Sequence, residues 1–216
     1  MNGSQTLVSR FCLFFYHEVQ CYEEHKGFIM KVSVFGGSQP KEGSSAYEEA
    51  RLLGELLAQR GHIILNGGYI GTMEAVSRGA CETGGHVIGV TCEDIETWRN
   101  LPKNQWIKEE WRKKTLIERL RCLVEESDAA IALPGGTGTL TEIALTWNLM
   151  IVESLPRRPL ILVGDGWQSL FDQFLKTFDT YIPAKQRELV SFTKDVHTAV
   201  ELMESNVSPG PTIVTG

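Results

Sequence analysis

Ala129-Ala130-Ile131-Ala132-Leu133 runs straight into Pro134-Gly135-Gly136-Thr137-Gly138-Thr139-Leu140-Thr141-Glu142, and this junction decides the fold. The first five residues read as a short buried strand. Apolar positions at Ile143, Leu145, Trp147 and Met150 then give a helical spacing. Glycines at 135, 136 and 138, between strand and helix, let the backbone turn sharply and approach a ligand closely. The helix that follows begins with unpaired N–H groups and the positive end of its dipole, which suits an anion. Thr137 and Thr139 add hydroxyls. Glu142 is expected in the first helical turn, beside the place of a phosphate. A tight turn with a helix-start acid is the plain alternative. The length and order of Pro-Gly-Gly-x-Gly-Thr-x-x-Glu favour a binding site.

Outward from this junction, strand and helix alternate. Lys31–Phe35 is a strand ending at Gly36-Gly37-Ser38, and a helix is expected from Ser45 to Arg60. Ser45-x-x-Glu48 offers a capping box and Gly61 a stop. His62–Leu65 is the next strand, closing on Asn66-Gly67-Gly68-Tyr69-Ile70-Gly71, with a helix over 72–83. His86–Val90 is a third strand. Residues 91–111 are read as irregular and 112–126 as a helix leading into strand 129–133. A strand at 159–163, a helix over 167–178, a weak strand near 189–192 and a helix to about Glu204 complete the pattern. Repeated β-α units with continuous apolar strands imply an α/β fold, a Rossmann-like doubly wound parallel sheet with helices on both faces. Ligands bind such sheets at the carboxyl ends of the strands. Three glycine-bearing loops, 36–38, 67–71 and 135–138, lie there together. No loop carries G-x-G-x-x-G, and there is no G-x-x-x-x-G-K-[ST], so neither a dinucleotide cofactor nor a P-loop is indicated.

The 216 residues suffice for one α/β domain. Residues 1–29 are expected to be an extension outside the core, with Met30 the functional start, and 30–205 the domain. A packing arm is the rival for 1–29, since Phe11, Leu13, Phe14, Phe15 and Tyr16 are costly to leave in water. The stretch 206–216 is expected to be a flexible tail. No apolar run is long enough to span a bilayer, and Leu7–Tyr16 fails as a signal peptide. A net charge of −6 disfavours nucleic acid as a partner. The five cysteines form no metal-spaced cluster and read as free thiols of a cytoplasmic protein.

Between Arg99 and Arg121, eight Lys/Arg face three acids, a local +5 that leaves −11 elsewhere. Most such runs are solvated faces. On the helix expected here, Leu116, Leu120, Leu123 and Val124 form an apolar stripe, with Arg112 and Arg119 on one edge and Lys114 and Arg121 in solvent. An arginine at the margin of a buried face can reach a cleft, where its fork suits phosphate or ribose oxygens. Arg119 is the first candidate.

These pieces together resemble the LONELY GUY (LOG) family, long labelled possible lysine decarboxylases, over residues 30–205. Pro134–Glu142 matches PGGxGTxxE throughout. Asn66–Glu74 meets GGGxxGLMG in part, keeping Gly67, Gly68, Gly71 and Met73 but departing at Asn66, Thr72 and Glu74. The family's catalytic arginine, usually in a His-x-Arg-Lys context, falls on Arg119, but Ile117 and Leu120 stand here where that context has His and Lys. Ser38, Trp147 and Asp165-Gly166 match further positions. The resemblance implies hydrolysis of the N-glycosidic bond of a nucleoside 5′-monophosphate, of cytokinin-activating type, by a homodimer or higher homo-oligomer without cofactor or metal. It implies Glu142 and Arg119 as catalytic residues. Phosphate binding would fall to Gly135, Gly136, Thr137, Gly138 and Thr139, with Ser38, Gly67, Gly68, Gly71, Met73 and Glu74 around the substrate. Glu74 reads either as a ribose-hydroxyl ligand or as a helix-start acid. Molybdenum cofactor carrier proteins resemble this family too, so non-catalytic carriage of a phosphorylated ligand is the alternative. A single-strand DNA processing factor fits poorly with the acidic charge, and nothing supports a pyridoxal-binding lysine.

Overall fold

The computed structural model describes residues 28–206. Seven parallel strands, β1 (Lys31–Phe35), β2 (Ile63–Asn66), β3 (His86–Cys92), β4 (Glu109–Lys113), β5 (Ala129–Ala132), β6 (Leu160–Val163) and β7 (Ser191–Thr193), form one sheet in the order β4-β3-β2-β1-β5-β6-β7. The chain winds outward from β1 to one edge, then crosses back to lay β5 on the other side of β1. The β1/β5 boundary is thus the point at which strand order reverses, where sheets of this kind open a crevice. Strand alternation supplies two cores. Val32 and Val34 of β1 and Ile131 of β5 face one layer, built with α1 (Ser45–Gln59), α2 (Thr72–Glu82) and α8 (Val196–Ser205). Phe35, Ala130 and Leu162 face the other, with α4 (Leu116–Glu125), α5 (Thr137–Ile151) and α6 (Asp165–Thr177). The doubly wound fold is as expected. So is the start of β1 directly after Met30, which is itself buried. The readings for 1–29 and 206–216 fall almost wholly outside the described residues.

The stretch 91–126 departs from the sequence reading. Instead of an irregular segment and a helix from 112, it forms α3 (Glu93–Arg99), the edge strand β4, and α4 beginning only at Leu116. Glu109–Lys113 has no buried residue, only exposed and half-buried ones, which suits an edge strand, and its charges hid that from the sequence reading. The helix start is fixed by Thr115, whose hydroxyl accepts from the Glu118 amide at 3.2 Å, while Glu118 accepts from the Thr115 amide at 3.1 Å. Such a box stabilises a helix by about 1 kcal/mol and sets its phase. Arg112 therefore lies on β4 and pairs with Glu96 at 2.7 Å rather than sharing a helix edge with Arg119. Leu116 is exposed rather than part of the buried stripe. At the start of α1 the cap is Ser44, whose hydroxyl accepts from Tyr47, and not Ser45. A short α7 (Ala184–Arg187) follows a 3₁₀ turn at Asp179–Tyr181.

Candidate functional site

The three glycine loops meet at the β1/β5 boundary through their backbones. Gly37 N–H donates to Pro134 O at 3.1 Å, and Thr72 N–H to Gly37 O at 2.9 Å. Gly71 has φ +76°, and a Cβ there would lie 2.6 Å from Ser38 Cα, so no larger residue fits the crossing. Asn66, where the motif has glycine, clamps its own loop. It accepts from Gly68 N–H at 2.8 Å and donates to Ser77 Oγ at 2.9 Å.

Beside this crossing opens a cleft of about 610 Å³. One wall is the start of α5. Its cap, Gly136, offers no side chain, and Leu140 N–H is the first to bond back, to Gly136 O. The amides of 137–139 are thereby left without helix partners at the positive end of the dipole. Gly136, Thr137, Gly138 and Thr139 all face the cleft, and a Cβ at Gly136 or Gly138 would meet nothing within 4 Å. Gly135 differs: a Cβ there would stand 2.1 Å from Thr139 Oγ1 and 3.0 Å from Gly37 N, so it serves the crossing rather than the surface.

The floor is an ion pair. Arg119 and Glu142 are only 5% and 7% exposed, and Arg119 Nη1 lies 3.7 Å from Glu142 Oε1. That is attraction without a hydrogen bond. Arg119 Nε donates to Val90 O at 2.8 Å, and its guanidinium sits 5.8 Å from the centre of the Tyr69 ring. The Tyr69 hydroxyl is tied to Cys92, accepting from its N–H at 2.9 Å. Behind the guanidinium lies Gly67, where a Cβ would come within 2.0 Å of Arg119 Nη2 and 2.4 Å of Met73 Sδ. Gly67 makes room for the arginine, and Gly68 is wedged against Gly89 and Thr91. Glu142 lies in the second turn of α5, not the first. Burial pushes its carboxyl up to about 7, and the Arg119 charge offsets only part of that rise. Near neutrality it both holds and releases a proton, as a general acid or base requires.

Ser38 and Met73 also line the cleft, whereas Gly71 and Glu74 face an adjoining hollow. Glu74 is in the first turn of α2, as a helix-start acid would be. Trp147, matched from the motif, is a core residue whose indole N–H donates to Gln186 O at 2.7 Å. Of the basic segment only Arg119 is buried; Lys103, Arg112 and Arg121 pair with nearby acids at the surface. The sequence reading missed Tyr69, Ile95 and Trp98 as cleft residues. Tyr69 occupies a variable position of its motif, and the other two belong to a helix that was read as loop.

An open helix start and a buried carboxylate–guanidinium pair at a sheet reversal give this doubly wound protein a cleft suited to a small anion. A family model described as possible lysine decarboxylase matches residues 73–203. A cytokinin riboside 5′-monophosphate phosphoribohydrolase of Arabidopsis thaliana is 30% identical over 194 residues, 87% of each chain. A probable enzyme of the same name from Oryza sativa subsp. japonica is 36% identical over 132 residues, 58% of this chain and about half (52%) of its own length. The molybdenum cofactor binding protein of Rippkaea orientalis shares the fold, with TM-score 0.66 at 24% identity over 83% of this chain and 98% of its own. The chain belongs to the LONELY GUY family. No helix among the described residues is long and apolar enough to cross a membrane.

Proposed function

We propose that this protein hydrolyses the N-glycosidic bond of a nucleoside 5′-monophosphate, giving free base and ribose 5-phosphate. The observation that carries the reading is the Arg119–Glu142 pair, buried on the floor of the cleft whose wall is the open start of α5. The 5′-phosphate would rest on the amides of 137–139. Five residues on, about 7.5 Å along the helix, Glu142 stands near the ribose rather than the phosphate. As the C1′–N bond breaks, its electron pair leaves on the base and positive charge builds on the sugar, which a carboxylate stabilises. Water adds its oxygen to C1′ and gives a proton to Glu142, and Glu142 returns one to the departing nitrogen, which leaves the carboxylate ionised again. Arg119 holds the sugar phosphate and keeps Glu142 ionisable in its dry pocket. The names of the relatives support the same chemistry. In this reading the enzyme works in the cytoplasm as a homodimer, and a second copy beside the mouth would cover the exposed Leu116 and Ile117.

Incubating the purified protein with a panel of nucleoside 5′-monophosphates is expected to release base and ribose 5-phosphate in equal amounts. Absence of release from every base, together with tight binding of a phosphorylated pterin, would overturn hydrolysis in favour of a carrier.

A further inference from the structure

Next to the cleft, and sharing Ser38, Gln39, Trp98 and Arg99 with it, lies a second hollow of about 560 Å³. A ligand seated on α5 and Arg119 can therefore extend into it without leaving the protein. Three features give it a chemistry. Trp98 is 74% exposed and carries the Arg99 guanidinium 4.8 Å from its ring, a flat plate suited to stacking on an aromatic ring. Two carboxylates line the hollow, but Glu42 is held by Arg78, which leaves Glu74 facing it. Lys41 supplies a cation at the rim.

We propose, resting on the hydrolase reading above, that this hollow receives the base and that Glu74 selects 6-oxopurines, guanine before adenine. A carboxylate accepts hydrogen bonds only. The pairing edge of guanine presents two adjacent N–H donors, at N1 and N2, which fit the two carboxylate oxygens, and a neighbouring O6 acceptor for Lys41. Adenine and its N6-substituted forms present an unprotonated N1 at the same place, whose lone pair opposes the carboxylate. The position that is glycine in the family motif thus becomes the residue that reads the base.

The test compares kcat/KM for GMP and AMP in the wild-type protein and in Glu74→Gln, with folding checked by thermal melting. The wild type is expected to prefer GMP by tenfold or more, and Glu74→Gln to reduce that ratio by about tenfold, since a site built to bond a group discriminates against its absence. A wild type that prefers AMP, or a ratio unchanged in Glu74→Gln, overturns the proposal. If no nucleotide is turned over, the hydrolase reading fails separately. The same comparison is then read as binding of GMP against AMP by calorimetry, where equal affinities overturn the base pocket and a guanine preference lost in Glu74→Gln supports it.

Discussion

Replacing Glu142 by glutamine is expected to stabilise the protein while silencing it. The carboxyl titrates at about 7 in the fold against 4.5 when unperturbed. Between those two values the folded chain keeps a proton that the unfolded chain has released, so stability falls as pH rises through the interval. Each pKa unit is worth about 1.4 kcal/mol, and the interval therefore amounts to about 3 kcal/mol by about pH 8. Glutamine resembles the protonated carboxyl in size and never ionises. At about pH 8 the variant should be more stable than the wild type by about 3 kcal/mol, and at about pH 5 by less than about 1 kcal/mol. In a domain of this size the alkaline difference corresponds to roughly 6–12 °C in Tm. Urea or thermal unfolding of both proteins at the two pH values measures it. A stability difference that does not change between them, or a variant less stable at about pH 8, would refute the claim that burial opposes the charge on Glu142. The same variant should lose about 10²–10⁴-fold in turnover if the carboxylate moves a proton.

Arg119→Leu removes the cation 3.7 Å from the Glu142 carboxyl, so its titration should move above about 7, followed by the pH dependence of NMR shifts of a labelled carboxyl; an acid shift would sink the pairing. Turnover should fall with it. Gly67→Ala places a methyl 2.0 Å from Arg119 Nη2 and should cost about 1–3 kcal/mol of stability as well as activity, read by denaturation and by product release. Gly135→Ala, pressed on Thr139 and Gly37, should weaken ribose 5-phosphate binding in calorimetry, and unchanged affinity would free the cradle from dependence on the loop crossing.

The doubly wound sheet was legible because its central strands are buried on both faces, as in Ala129–Ala132 and Leu160–Val163, and so are written in apolar residues alone. The edge was not. β4 is Glu-Glu-Trp-Arg-Lys, whose charges hold it in solvent and imitate a polar helix start. That misreading placed Arg112 beside Arg119. The Thr115-x-x-Glu118 box was present in the sequence and would have moved the helix start to the right place. Within the site, Pro134–Glu142 and Arg119 could be picked out by residue type and motif. Tyr69 beneath the guanidinium could not, and Gly67, though picked out by its motif, gave no sign that it makes room for the arginine, because both parts depend on distances between segments far apart in the chain.

The bond from Arg119 Nε to the Val90 carbonyl has a consequence for affinity. A free arginine side chain surrenders about 2 kcal/mol of rotamer entropy when it is immobilised. Here that loss is taken during folding: β3 fixes the guanidinium, Tyr69 underlies it, and Gly67 leaves it room. In the proposed reaction an arriving phosphosugar would find the fork already aimed and would not need to order it, leaving more of its binding free energy for distorting the sugar toward the transition state.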